Sequence, residues 1–245
     1  MKLYFKLFLI GYSFYMKFKD KYENDNYLIK KLKNSDFNLL YDVGKNPSIW
    51  EQHPENDRWK LEKFKNYFNN GIQNEFGIYG IFNKKENRLI GSSRYYDYNK
   101  LKLSIKVGFT FLIPEYWGKS ANYQIKVLML TEAFKNLKKV YFDIGFNNLR
   151  SRKAIEKLGA VLYKDSKSGN VIYELDEKTF FLIKDKNIQI ELLEFVMRGC
   201  KKHPAYRAIR PATGNCRECL LIWDAKNKIN FNNIKKYHDL LPGAK

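Results

Sequence analysis

Cysteine is scarce in this sequence, and its distribution is the first informative feature. The 245 residues contain three cysteines, all of them between positions 200 and 219. An odd number of cysteines in one short segment does not form a disulfide framework, which excludes the class of disulfide-stapled secreted domains. The cluster fits a reducing compartment and metal ligation instead, so we expect a cytoplasmic protein.

A long hydrophobic run is also missing. Residues 3–16 are mostly apolar, but Lys6 interrupts them, and a membrane-spanning helix needs about 20 apolar residues. No small-residue cleavage site of a signal peptide is evident. We treat residues 1–26 as an N-terminal extension, and three interpretations stay open: a peripheral or non-native segment before a start at Met16, a packed strand or helix, or a membrane-associated segment. The rest of the sequence has no spanning segment, so stable membrane insertion is not expected.

Acidic residues are few. The chain has 26 Asp and Glu against 45 Lys and Arg, for a formal net charge of +19. Such an excess indicates an anionic partner such as nucleic acid, a membrane surface or a phosphorylated ligand. Lysine, however, outnumbers arginine 36 to 9, which codon bias in an AT-rich genome also produces. Charge alone therefore does not establish a nucleic-acid role.

Hydrophobic periodicity predicts a mixed α/β domain. Hydrophobic residues make up 44% of the chain, enough to build a core. Strand-like and helix-like segments follow the order β-α-α-β-β-β-α-β-α-β-β, with the clearest helices at 58–72, 123–137 and 149–158. We place this domain at 27–180 and a linker with a small module at 181–245, because residues 176–187 are charged and weakly periodic.

The segment 108–122 predicts a strand that runs through a loop into a helix. The first turn of such a helix has unpaired backbone N–H groups and a partial positive charge, which together can hold a pyrophosphate. Gly118, Ser120 and Ala121 are small enough to let a phosphate approach the backbone, and Lys119 adds a cation. An ordinary strand-to-helix connection could have the same pattern, so this segment alone leaves both interpretations open.

A second segment, 143–160, follows one strand and one helix later. Taken in order, segments 108–112, 117–122, 133–134, 148–151 and 154–160, together with Lys126, resemble the GNAT acetyltransferases. The likeness is to the branch that acetylates the N-termini of ribosomal proteins, and it covers about 27–176. It implies an α/β fold with a mixed central sheet, two splayed parallel strands and flanking helices. It also implies acetyl-CoA as cosubstrate and a primary amine, on a protein N-terminus or a small molecule, as acceptor.

The resemblance also assigns roles to residues. It implies that backbone groups of Phe111, Leu112 and Ile113 pair with the pantetheine arm. Asn148 and Ser151 are expected near the sulfur as candidate catalytic and cofactor-binding residues, with Ser151 able to give the thiolate a proton. The loop expected to hold the pyrophosphate consists of Trp117, Gly118, Lys119, Ser120, Ala121 and Asn122.

Two positions depart from the family pattern. Lys106 stands where many relatives carry a glutamate that helps to remove the amine proton, and Ile155 stands where many have a tyrosine acid. Glu51, His53 and Asp143 remain as candidate bases. Because an α-amine has a pKa of about 8 and a lysine one of about 10.4, an enzyme without a strong base should prefer α-amines. The alternative is a non-catalytic, coenzyme A-binding scaffold that serves the C-terminal module.

The C-terminal module carries a metal-site pattern. Cys200, His203, Cys216 and Cys219 form C-x2-H-x12-C-x2-C, whose two short pairs can converge on one tetrahedral ion. Such soft ligands predict zinc in a closed, structural site. Unligated thiols are the alternative.

Basic and aromatic residues alternate in the same module, which has 11 Lys and Arg against 3 Asp and Glu over 198–245. Tyr206, Arg207, Arg210 and Trp223 fit a surface for single-stranded nucleic acid, as an added partner. A basic protein-docking surface or a purely structural module stays open.

Overall fold

The computed structural model describes residues 16–165 and 169–230, and the part of the predicted N-terminal extension before residue 16 lies outside them. One eight-stranded sheet runs in the order β1-β2-β3-β4-β5-β6-β8-β7. All neighbouring strands are antiparallel except β5 and β6, which are parallel. The strands are β1 (Lys21–Glu23), β2 (Tyr27–Lys31), β3 (Tyr79–Asn83), β4 (Arg88–Asn99), β5 (Ser104–Leu112), β6 (Lys139–Gly145), β7 (Val161–Asp165) and β8 (Asn170–Asp176). The α-helices are α1 (Phe37–Gly44), α2 (Leu61–Gln73), α3 (Ala121–Ala133), α4 (Leu149–Glu156), α5 (Glu177–Arg198) and α6 (Arg217–Lys228).

The predicted α/β order is confirmed over residues 27–176, with one strand added in front. β1 lies within the predicted extension, and Phe18 just before it is buried, with its ring stacked on Tyr95 at 3.8 Å between centroids. The described part of the extension is therefore packed against the core.

Helices cover both faces of the sheet, and β4 shows how. Arg94 Nη2 donates to the carbonyl of Tyr67 on α2, whereas the hydroxyl of the next residue, Tyr95, donates to the carbonyl of Met129 on α3. Because successive side chains of a strand point to opposite faces, α2 and α3 lie on opposite sides of the sheet. We call these sides the α2 face and the α3 face.

The two parallel strands separate along their length. β5 and β6 pair only from Ser104 to Lys106 and from Lys139 to Tyr141. Beyond that point β5 stays with β4 and β6 stays with β8, so a wedge opens between them. A β-bulge contributes to the divergence: Phe109 has φ of +50°, and the β4–β5 register shifts by one residue there. The splay that the resemblance implied is confirmed.

The C-terminal part differs from the predicted linker. Residues 177–198 form one 22-residue helix, α5, which begins where Asp176 Oδ1 accepts a hydrogen bond from the N–H of Thr179. Phe180 of α5 is buried against Phe134, the residue that follows α3. The weak periodicity has a physical cause: α5 packs against the core near its start and against α6 further along, so its apolar residues do not form one stripe. Within the described residues, no helix is long and apolar enough to cross a membrane.

Candidate active site and candidate metal centre

The wedge between β5 and β6 forms a cleft with a volume of about 830 Å³. The starts of α3 and α4 border it, and so does α5 through Asn187, Ile190, Glu191 and Glu194. No sequence pattern indicates this contribution from α5. Of the cofactor-binding residues predicted from the resemblance, those that line the cleft are Phe111, Leu112, Trp117, Gly118, Lys119, Ser120, Asn122, Asn148 and Ser151.

Two predicted cofactor residues lie outside the lining. Ala121 is fully buried as the first residue of α3. Ile113 is buried, and its N–H donates to the carbonyl of Ile90 at 2.9 Å. The Leu112 carbonyl accepts from the indole N–H of Trp117 at 2.8 Å. The backbone groups of β5 that face the wedge therefore come before Leu112 and Ile113.

The start of α3 has the geometry of an anion site. The first backbone bond of the helix runs from the N–H of Gln124 to the carbonyl of Ser120, so the preceding helical N–H groups have no intrahelical partner. Gly118 has φ of +69°, a conformation that favours glycine, and the space where its Cβ would stand is open. A ligand can therefore approach the backbone closely at this turn.

Several cations line the cleft, and Lys119 is the one whose role was predicted from the sequence. Arg150, near the start of α4, stacks its guanidinium 3.7 Å from the centre of the Trp117 ring, and burial lowers its pKa while leaving it charged. Lys153 and Lys157 follow on the same helix and also line the cleft. This set of cations suits a ligand with several phosphates. Arg150 lies in segment 148–151, which carries the family resemblance, but that segment does not reveal its contact with a residue 33 positions away.

Asn148 and Ser151 lie where α4 begins. Asn148 Oδ1 accepts a hydrogen bond from the backbone N–H of Ser151 at 3.1 Å, so Asn148 caps the helix. Ile155, one turn further along, is buried and lines the cleft at the position where many relatives carry tyrosine.

His53 lines the other end of the cleft, and its environment opposes protonation. Burial, and after it the charge of Arg58, lower its pKa to about 4. Its Nδ1 accepts from the N–H of Glu55 at 2.9 Å, and its Nε2 lies 3.1 Å from Arg58 Nη1. A neutral imidazole has one nitrogen that can take a proton; here that nitrogen is Nδ1, which already accepts from Glu55, and Nε2 faces the Arg58 cation, so His53 is a poor general base.

Asp143 is the candidate base with an open position. It lines the cleft on β6, just past the last pair of β5 and β6, and its Oδ1 is buried with no hydrogen-bond partner in the described part of the chain. Its Oδ2 lies 3.7 Å from Lys106 Nζ, which is closer to Asp97, at 3.0 Å. Glu51, the third candidate, is exposed and lies outside the cleft lining.

The four predicted metal ligands come together. The ligand atoms of Cys200, His203, Cys216 and Cys219 all lie within 4.8 Å of one another. The sulfurs of Cys200 and Cys216 are 3.7 Å apart, and His203 Nδ1 lies 3.3 Å from Cys219 Sγ and 3.6 Å from Cys200 Sγ. With Zn–S of about 2.3 Å and Zn–N of about 2.05 Å, the edges of a tetrahedral site are about 3.8 Å between sulfurs and about 3.6 Å between sulfur and nitrogen. The donor set therefore fits zinc.

The three thiols can all be ionised at the same time only if a cation lies between them. The backbone N–H of Cys219 donates to Cys216 and lowers the pKa of that thiol to about 6. Burial and the neighbouring thiols raise the pKa of Cys219 to about 12. Without a positive ion, only part of the cluster is ionised at neutral pH.

The aromatic residues predicted to stack nucleic-acid bases are used for packing. Tyr206 and Trp223 are partly buried against the cluster formed by Cys200, Ala208, Cys219 and Ile222. The flanking cations Arg207 and Arg210 are exposed. Tyr206 and Trp223 each keep part of their surface exposed, so the nucleic-acid surface stays a prediction.

Comparisons with known proteins agree with this geometry. A GCN5-related N-acetyltransferase from Brucella melitensis superposes with a TM-score of 0.58 at 12% identity, covering 67% of this chain and 81% of that chain. An acetyltransferase of the GNAT family from Bacillus anthracis gives 0.53 at 17% identity, with 64% and 99% covered. The apo form of FdhC, a nucleotide-linked sugar GNAT, gives 0.52 at 18% identity, with 72% and 98% covered. At such low identities these likenesses concern the fold alone.

A comparison with curated protein sequences gives no significant match. The family model for the acetyltransferase (GNAT) domain matches residues 27–161, which is more than half of the chain. The splayed sheet and the cleft lie within or beside this stretch. The chain belongs to the GNAT acetyltransferase family.

Proposed function

We propose that this protein is an acetyl-CoA-dependent N-acetyltransferase that acts on a primary amine. One observation carries the proposal: the wedge between β5 and β6 opens directly onto the free N–H groups at the start of α3. A helix start binds phosphate, and an unpaired strand edge offers hydrogen bonds to an extended amide-bearing arm. Coenzyme A has both parts, with a pyrophosphate at one end and the pantetheine arm between it and the sulfur.

We propose that Asp143 binds the acceptor amine and takes its proton. The amine must be neutral to attack the thioester carbonyl, and it loses a second proton as the amide forms. A carboxylate oxygen without a donor in the cleft is placed to bind the ammonium and to take its proton. The carboxylate that many relatives carry at the position of Lys106 is thus replaced by one on the neighbouring strand, held beside that lysine.

The acceptor that suits this arrangement is an α-amine. An α-amine ionises with a pKa of about 8, so an appreciable fraction is neutral near pH 7, whereas a lysine side chain with a pKa of about 10.4 is almost entirely charged. We expect peptide or small-molecule α-amines to react faster than lysine ε-amines.

For the C-terminal module we propose structural zinc on Cys200, His203, Cys216 and Cys219. Four protein ligands complete a tetrahedron and leave no position for a substrate. The ion would supply the charge that stabilises three thiolates together. A metal-free cluster of thiols is the competing interpretation.

A second function has an observation in its favour. Lys106 stands at the family's usual carboxylate position, and the zinc module presents a basic surface, so the domain could be a coenzyme A-binding scaffold for docking to nucleic acid or protein. The decisive difference is turnover. We expect the wild-type protein to release free thiol from acetyl-CoA only when an amine is added.

The test is a thiol-release assay with acetyl-CoA and a peptide library that has either free or blocked N-termini. Turnover with free N-termini and none with blocked ones supports the proposed enzyme. Coenzyme A binding by calorimetry without turnover for any amine supports the scaffold. Modification found only on internal lysines would refute the preference for α-amines.

A further inference from the structure

Lys126 is a buried cation without an anion. It lies on α3, its residue is 5% exposed, and its side chain borders the cleft. Nζ donates a hydrogen bond to Thr110 Oγ1 at 2.7 Å. Within the described residues, no carboxylate lies within ion-pair distance of it. Lysine is seldom fully buried unless it is paired, because burial removes the water that stabilises its charge.

In the described part of the chain, the Lys126 amine contacts neutral groups, the Thr110 hydroxyl on β5 and the Phe142 ring on β6, whose centroid lies 5.9 Å from Nζ. Behind Thr110, the Ser93 hydroxyl on β4 lies 2.7 Å from Thr110 Oγ1. Burial is the single cause that lowers the pKa of Lys126, to about 7. A methionine would fill the same space without this cost, so packing does not explain the lysine.

The position of Lys126 relates it to the reacting end of the cleft. Thr110 follows the bulge residue Phe109, at the point where β5 has left β6. Lys126 and Thr110 contact each other on the α3 face of the sheet. Phe142 on β6 also points to the α3 face, where it contacts Lys126. The next side chain, Asp143, therefore points to the α2 face. The cleft therefore has, on one side of the sheet, a carboxylate with one oxygen that lacks a donor and, on the other side, an amine that has no carboxylate partner in the described residues.

We propose that Lys126 is a catalytic residue that donates a proton to the departing thiolate of coenzyme A. The proposal rests on the proposed acetyl transfer. In that step the amine nitrogen forms a bond to the acetyl carbon and loses a proton to Asp143. The carbon–sulfur bond breaks with its electron pair on sulfur, and sulfur takes a proton from Lys126 Nζ. Lys126 is then a neutral amine, and it regains a proton from solvent as Asp143 loses its own.

The acid strengths agree with this direction of transfer. A thiol has a pKa of about 8.5, so an ammonium with a pKa of about 7 gives its proton to a thiolate favourably. The hydroxyl of Ser151, the donor predicted from the resemblance, is a much weaker acid. Groups whose surroundings make one a base and the other an acid are a common mark of acid–base catalysis.

The experiment compares Lys126→Met with Lys138→Met, an exposed lysine outside the cleft. Thiol release gives kcat, and calorimetry gives the Kd for coenzyme A. We expect Lys126→Met to lower kcat at least about 100-fold, the usual effect of losing a general acid, with Kd changed less than about threefold. Lys138→Met should match the wild type. The wild-type kcat should also fall at alkaline pH, as Lys126 loses its proton in the complex.

Three results would overturn the assignment. A kcat within about threefold of wild type in Lys126→Met would show that the proton comes from elsewhere while acetyl transfer stands. A loss of kcat matched by an equal loss of coenzyme A affinity would make Lys126 a binding residue. Absence of thiol release from the wild type with every amine would overturn the proposed function and this proposal together.

Discussion

The acyltransferase domain and the C-terminal module are stabilised in different ways. The domain has a hydrophobic core that extends over both faces of the eight-stranded sheet. The core cluster of the module has four buried residues, Cys200, Ala208, Cys219 and Ile222, and two of them belong to the proposed zinc site. A segment this small seldom buries enough apolar surface to fold unaided. In the domain apolar periodicity determines the structure, whereas in the module the spacing of four ligands does.

α5 joins the two regions and belongs to both. Near its start, Lys184 Nζ donates to Thr131 Oγ1 and Asn187 Nδ2 donates to the Tyr123 hydroxyl, both on α3. Further along, Gln189 Oε1 accepts from the N–H of Asn230, just past α6. The predicted boundary at 180 and 181 falls inside this helix and stays a prediction.

The largest effect should come from removing the metal. Zinc binding contributes about 10–16 kcal/mol to the folding of small zinc modules, so a chelator should unfold residues from about 199 onward. The domain should stay folded and keep its affinity for coenzyme A, because its core does not depend on the ligands. Hydrogen exchange followed by mass spectrometry checks both parts at once, and elemental analysis should find close to one zinc per chain.

Cys216→Ser should have the same selective effect, and adding zinc back to the chelated wild type is the control. Two outcomes contradict the account. A fully reduced, metal-free protein with an ordered module would exclude structural zinc. Loss of coenzyme A binding on chelation would show that the two regions fold as one unit.

The next effect in size concerns stability and Lys126. Its pKa is about 7 in the folded protein and 10.5 when exposed, so the unfolded chain holds more protons between these values. Stability of the wild type should therefore rise from about pH 7 to about pH 10.5, by at most about 5 kcal/mol. Lys126→Met lacks this contribution, and should be the more stable protein at neutral pH.

Urea unfolding of both proteins at about pH 6.5 and about pH 9.5 measures the difference. Groups other than Lys126 titrate in both proteins and largely cancel. A stability gap that does not change between the two pH values would mean that Lys126 is not buried as a costly cation.

A third prediction concerns Asp143. Asp143→Asn keeps the shape of the side chain and removes the base, so kcat should fall about 100-fold or more, which corresponds to about 2.7 kcal/mol. The matched control is Asp97→Asn, which also loses a carboxylate near Lys106 but does not line the cleft. Steady-state thiol release measures both. Equal, small effects of the two variants would exclude Asp143 as the base.

The smallest predicted effect concerns the phosphate end of the cleft. Ser120→Glu places a carboxylate beside the start of α3, so affinity for coenzyme A should fall at least about tenfold, or about 1.4 kcal/mol. Ser35→Glu, at an exposed serine outside the cleft, is the control for the added charge. Calorimetry checks both variants, and an unchanged affinity in Ser120→Glu would move the phosphate site away from this loop.

The sequence predicted those features that local pattern determines. The order of elements over 27–176, the loop at 117–122 and the four metal ligands all follow from periodicity, small residues or spacing. Arg150 and Lys126 lie among the residues that carry the resemblance, but no role could be assigned to them in that way, because their contacts with Trp117 and with Thr110 run across the fold. α5 was missed because its apolar residues serve two different partners. His53 was a reasonable candidate base until the structure placed the Glu55 N–H at Nδ1 and the Arg58 cation beside Nε2.

The proposed roles of Asp143 and Lys126 depend on acetyl transfer in the wedge between β5 and β6. Thiol release by the purified full chain tests this reaction directly. With acetyl-CoA and a peptide that has a free N-terminus, we expect thiol release. We also expect the peptide to gain the mass of one acetyl group at its α-amine. The same peptide with a blocked N-terminus should give neither. Binding of coenzyme A without turnover on any amine would contradict the account and leave a scaffold.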